Sequence, residues 1–147
     1  MIVQTVLAAV GTVAFALLFG VPRRYFPFCG VIGGAGWLLY AALSQHAGMT
    51  PTEATFFATV LVILLSRACA VLERCPATVF LIAGIFPLVP GAGIYWTSDY
   101  LVTGQMRLAA SSGFAAVKAA IAIVLGIVFV FEIPNGFFRV LAGKKTG

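Results

Sequence analysis

The stretch Pro87-Leu88-Val89-Pro90-Gly91 decides how this chain is read, because it interrupts an apolar run that otherwise extends from Ala77 to Val102. Each proline lacks a backbone donor, and its ring clashes with the preceding turn. Two prolines three residues apart, followed by Gly91 and Gly93, therefore break a helix outright. The break falls about where an unbroken helix would cross the middle of a bilayer. Non-helical backbone at that depth is tolerated only where it is buried in protein or lines a wet cavity, so the break marks either a tight packing point or a substrate path.

Composition places the whole chain in the bilayer. Of 147 residues, 62% are hydrophobic and 9% charged, against roughly 25% charged in soluble domains. The first apolar stretch, Ile2 to Phe19, has no basic residue before it and no small-residue cleavage site after it. It is expected to remain as a membrane helix rather than to be removed as a signal. The net charge of +5 sits in short loops, which reads as topology under the positive-inside rule. No basic face is available to follow phosphates, which excludes nucleic acid as a partner.

The expected fold is an all-α integral membrane bundle of five transmembrane helices, the fourth interrupted at Pro87-Gly91. The helices are expected at about 2–19, 28–43, 54–72, 77–102 (broken) and 113–131, with a basic cytoplasmic tail over 136–147. Gly30, Gly33, Gly34 and Gly36 on the second helix, and Ala115/Ala119, Ala116/Ala120 and Ala122/Gly126 on the last, form stripes that allow close backbone approach. Thr50 or Thr52 is expected to cap the third helix, with Glu53 in its first turn. The halves 77–89 and 92–102 are each too short to cross alone. If they cross once, Arg23, Arg24, Arg67, Arg74, Arg139, Lys144 and Lys145 share the cytoplasmic side, with only Arg107 and Lys118 opposite. That arrangement puts the N-terminus outside in a cytoplasmic (inner) membrane, whereas a re-entrant pair would move the tail from Arg139 onward to the wrong side.

A half-helix beginning near Pro90 leaves the N–H groups of Gly91, Ala92 and Gly93 unpaired, and the positive end of its dipole favours an anion such as a carboxylate. Pro87, Pro90, Gly91, Ala92, Gly93 and Tyr95 are therefore the expected substrate-binding residues. Three charges have two readings each. Arg67 either snorkels to the inner interface or serves a pathway or subunit contact. Asp99, next to Trp96 and Tyr100 in the turn, is either a proton-coupling carboxylate or part of the outer aromatic belt. Lys118 either neutralises an anionic substrate or snorkels outward.

No enzyme, cofactor or metal site is expected. His46 is the only histidine, and nothing places a base and an orienting group beside Ser44. Cys29, Cys69 and Cys75 lack zinc-site spacing, and no phosphate loop with its lysine is present. No internal repeat divides the chain, which is expected to be a single membrane domain. Because many secondary transporters are built from two related halves, a second copy in a homo-oligomer or another subunit is expected to complete the site.

Phe19-Gly20-Val21-Pro22-Arg23-Arg24, the four glycines at 30, 33, 34 and 36, Ser66-Arg67, Pro76-Ala77-Thr78-Val79-Phe80 and Pro87-Leu88-Val89-Pro90-Gly91 with Tyr95 resemble the small subunit of the threonine/serine exporter family. The resemblance covers nearly the whole chain. It implies a five-helix protein working with a larger membrane subunit that bears a second five-helix set. It also implies proton-driven export of small carboxylates, threonine and serine in some members and succinate in others. The tail from Gly136 and the charges Asp99, Arg107 and Lys118 have no counterpart in the pattern. The alternative is a non-transporting scaffold subunit, which the small-residue stripes suit equally well.

Overall fold

A computed structural model describes residues 1–143, which form helices and short connections with no strand among them. Helix α1 spans Ile2–Leu18, and a 3-10 turn at Arg23–Tyr25 leads into α2, Phe26–His46. Helix α3 spans Pro51–Glu73, α4 Thr78–Ile85, α5 Gly91–Val102, α6 Met106–Phe131 and α7 Asn135–Ala142. Lys144 and Lys145, assigned by sequence to the basic tail, lie outside the described residues.

Local signals set the ends of these helices. Thr50 caps α3 in a capping box: its hydroxyl accepts from the Glu53 N–H at 3.4 Å, and the Glu53 carboxylate accepts from the Thr50 N–H at 2.9 Å. Pro51, directly inside the cap, costs no hydrogen bond there. Helix α6 starts at Met106, seven residues before the Gly113 expected from sequence. Met106-Arg107-Leu108-Ala109-Ala110 are all good helix formers, and the chain turns earlier, at Gly104, whose φ of +74° suits glycine. The expected basic tail begins with the short helix α7, set off by Pro134 at its N-cap.

Three helices, α2, α3 and α6, are long and apolar enough to cross a membrane, and the pair Thr78–Leu88 and Gly91–Val102, bent by 47°, makes a fourth if it counts as one span. The fifth expected crossing falls on α1. With 17 residues it rises roughly 26 Å, short of a hydrocarbon core of about 30 Å. The protein is an integral membrane protein built from these apolar helices.

Helix α2 is the centre of the packing, with α1 on one side and α3 on the other, while α4 lies against both α2 and α3. The glycine stripe makes this possible. A Cβ on Gly33 would stand 2.7 Å from Thr12 Cβ of α1, and one on Gly36 would collide with the Val62 side chain of α3. Helix α3 in turn packs on the later part of α6, where a Cβ on Gly126 would sit 2.9 Å from Thr59 Cγ2. The α2 glycine stripe and the Ala122/Gly126 end of the α6 stripe are thus occupied within the chain, while Ala115 and Ala120 stay exposed. Ile32, Val62, Phe80, Cys29, Ala58 and Ala83 form the buried centre between these helices. Helix α5 has no buried residue and packs chiefly on α6, so the break passes the chain from the α2–α3–α4 layer to α6.

Candidate functional site

The backbone around the prolines is irregular in a defined order. After α4 the chain tightens into a 3-10 turn at Phe86–Leu88, extends at Val89 (ψ 131°) and restarts as a helix with Pro90 at the N-cap. The Gly91 N–H turns back to the Val89 carbonyl at 2.7 Å, and the first bond of α5 runs from the Ile94 N–H to the Pro90 carbonyl at 3.1 Å. Gly91 is therefore not the free donor that the sequence suggested. The N–H groups of Ala92 and Gly93 have no backbone acceptor, and no N–H of the following turn reaches the carbonyls of Pro87 or Leu88. Free donors and free acceptors stand within a few residues of one another, as a helix end followed at once by a helix start requires.

These groups border a cavity of about 350 Å³, lined by Pro87, Leu88, Val89, Pro90, Ala92 and Gly93 of the break. Trp37 and Tyr40 of α2, Pro51 and Thr55 of α3, and Ala115, Ala116 and Ala119 of α6 close it. Its size is at the small end of the ligand-pocket range, roughly 300–1,000 Å³. The N-terminus of α5 brings the positive end of a 12-residue helix to this wall. Trp37, in the same wall, carries a buried indole N–H with no acceptor among the described residues, whereas buried indole N–H groups ordinarily find one. The Thr55 hydroxyl is already committed to the Pro51 carbonyl at 2.7 Å. A second, apolar cavity of about 370 Å³ lies toward α1, and Trp37 and Pro87 border both.

Four of the six residues assigned by sequence to binding, Pro87, Pro90, Ala92 and Gly93, line this cavity, while Gly91 and Tyr95 do not. Tyr95 is 63% exposed and packs edge-on against Trp96, which stacks on Tyr100. Asp99 is exposed beside that aromatic group, and Lys118 is exposed with its ammonium 5.2 Å from the centre of the Phe114 ring. Neither charge lines the cavity.

Arg67 is held by partners within the chain. It does not reach out to the headgroups but is only 7% exposed, donating to the Val130 carbonyl and to Asn135 Oδ1 with its guanidinium 4.3 Å from the centre of the Phe138 ring. A cation at the carboxyl end of α6 complements the helix dipole, and the same side chain fastens α7 to α3.

Sequence reasoning missed Trp37, Tyr40, Pro51, Thr55 and the wall-forming role of the α6 alanines. One signal was available. Trp37 is the twelfth residue of the 21-residue α2, far from the helix ends, where membrane tryptophans gather at the interfaces.

A family described as "Threonine/Serine exporter, ThrE" matches residues 4–133 of this chain. A protein of Haemophilus influenzae, described only as an uncharacterized protein, is 32% identical over 88 residues. That match covers 60% of this chain and 29% of the relative, so the chain spans well under half the length of the curated relative it matches. No solved structure matches.

Proposed function

Because the chain belongs to the threonine/serine exporter family, we propose that it is a membrane subunit of a secondary exporter of small carboxylates. In this reading it forms the pathway with a larger membrane subunit and receives its substrate in the cavity beside Pro87-Gly93. The observation that carries the proposal is that cavity, whose lining includes Ala92 and Gly93 with N–H groups free of backbone acceptors, Trp37 with its orphan indole N–H, and Pro87 and Leu88 with carbonyls that accept no bond among the described residues. Donors at a helix N-terminus suit a carboxylate, and carbonyls at the preceding helix end suit an ammonium group. The pairing favours an α-amino acid such as threonine or serine over a dicarboxylate such as succinate, whose second carboxylate would face the carbonyls.

A single crossing by the broken pair supports the five-helix topology with the N-terminus outside and the C-terminus cytoplasmic. A bend of 47° leaves both halves advancing in the same sense, and together they cover roughly 30 Å. The glycine stripe on α2 and Gly126 of α6 meet partners inside the chain, whereas Ala115 and Ala120 of α6 stay exposed, so the scaffold reading keeps part of its support. Exposed apolar side chains run along α1, α5 and the length of α6, leaving surface for lipid, for the larger subunit or for a second copy.

The test is cysteine substitution at Val89, Ala92 and Gly93 in the assembled complex, with a membrane-impermeant thiol reagent and an amino-acid export assay. Substrate-protected labelling at these positions with loss of export is expected. Silent cysteines with normal export would refute the pathway and leave the scaffold reading. Export of succinate but not threonine or serine would refute the substrate assignment alone.

A further inference from the structure

A third cavity, of about 520 Å³, opens where α3 ends and α4 and α7 begin. Arg67, Arg74 and Arg139 all line it, together with Ala70, Asn135 and the α4 start at Ala77. Among the described residues, no carboxylate lines it and no acidic side chain hydrogen-bonds to any of the three arginines. Three guanidinium groups around one space without a counter-charge repel one another, an arrangement that an anion relieves. Arg67 makes the site more than a surface charge run. It is 93% withdrawn from solvent, yet among the described residues only two of its five N–H donors have acceptors, the Val130 carbonyl and Asn135 Oδ1. Pro76 and Ala77, just before the first turn of α4, complete the wall.

We propose that this cavity binds a phosphate group, with the headgroup of an anionic phospholipid as its source. Planar guanidinium forks match phosphate oxygens in pairs, and basic pockets between helices at the cytoplasmic face are where anionic headgroups are held. The position supports a lipid. Helix α7 carries Arg139 into the cavity wall and leaves Phe137 61% and Val140 76% exposed. Apolar side chains thus flank the basic space, as a helix lying along the headgroup–acyl boundary requires. Arg67 holds α7 against α3, and a bound phosphate would tie Arg74 of the α3 terminus and Arg139 of α7 to that same corner. The site is separate from the cavity beside the prolines and shares no lining residue with it.

The experiment is thermal unfolding and native mass spectrometry of the purified full-length protein in uncharged detergent, titrated with phosphatidylglycerol, phosphatidylcholine or inorganic phosphate. A saturable rise in midpoint with phosphatidylglycerol, matched by a retained lipid adduct, is expected. The apparent affinity should fall by about tenfold or more in Arg74→Gln/Arg139→Gln. It should be retained in Arg23→Gln, an exposed basic residue outside the cavity, and be partly kept in Arg74→Lys/Arg139→Lys, which separates loss of charge from loss of fold. The same arginine-dependent rise with inorganic phosphate alone would keep the phosphate site and assign it a free ligand. No rise with either probe, an equal rise with phosphatidylcholine, a rise that persists in the glutamine pair, or an equal loss in Arg23→Gln would overturn the proposal.

Discussion

Gly93 is where packing and transport meet most tightly, and substituting it gives the sharpest test. A Cβ at this position would stand 3.2 Å from Ala116 Cβ, 3.7 Å from Ala116 Cα and 3.9 Å from the Ser112 carbonyl. The first distance is a few tenths of an ångström below ordinary contact. Replacing Gly93 by alanine therefore sets a small clash against a helix-propensity gain of about 1 kcal/mol, and the two nearly cancel. Valine adds two further carbons against the same wall and lacks alanine's propensity. Overpacking of about 1–3 kcal/mol then dominates, and α5, which packs chiefly on α6, is pushed outward. Since Gly93 and Ala116 both line the cavity beside the prolines, export should fall more than stability does. Ala116→Gly removes the obstructing Cβ, so Gly93→Val/Ala116→Gly should recover part of both, with a coupling of about 0.5–3 kcal/mol in a double-mutant cycle. Gly91→Ala is the control, because a Cβ there meets nothing within 4 Å. The assays are thermal unfolding in detergent and amino-acid export by the reconstituted complex. Wild-type stability and export in Gly93→Val, or the absence of coupling to Ala116, would refute the reasoning.

Other outcomes follow from the same geometry. Trp37→Phe removes an indole N–H that has no protein acceptor, so unfolding should shift by less than about 1 kcal/mol while the KM for export rises; an unchanged KM would remove Trp37 from the substrate's partners. Arg67→Gln withdraws charged donors from the Val130 carbonyl and Asn135 and should cost about 1.5–3 kcal/mol, seen as a lower unfolding midpoint and as faster hydrogen exchange across Asn135–Ala142. Thr50→Ala dismantles the capping box of α3 and should cost about 0.5–2 kcal/mol in unfolding without changing KM, since Thr50 does not line the cavity. Gly33→Val drives a side chain into Thr12 and should separate α1 from α2, costing about 1–3 kcal/mol or preventing insertion.

The sequence by itself determined the class and the place of the break. Apolar length and scarce charge admit only membrane helices, and Pro87, Pro90 and Gly91 cannot continue one, because a missing donor and a ring clash act through the chain's own covalent geometry. The capping of α3 was legible for the same reason, as Thr50 and Glu53 lie three residues apart and meet within one turn. The start of α6 was not, since Met106–Ser112 read as loop only until the turn at Gly104 is known. Tertiary structure decided which groups surround the break. Trp37, Thr55 and Ala116 reach it from three different helices, and no local pattern records which faces of α2, α3 and α6 turn toward one another. It also decided that Arg67 holds α6 and α7 to α3. Those outcomes depend on distances between residues far apart in the chain, set only when Gly33, Gly36 and Gly126 let the helices approach and the side chains between them pack.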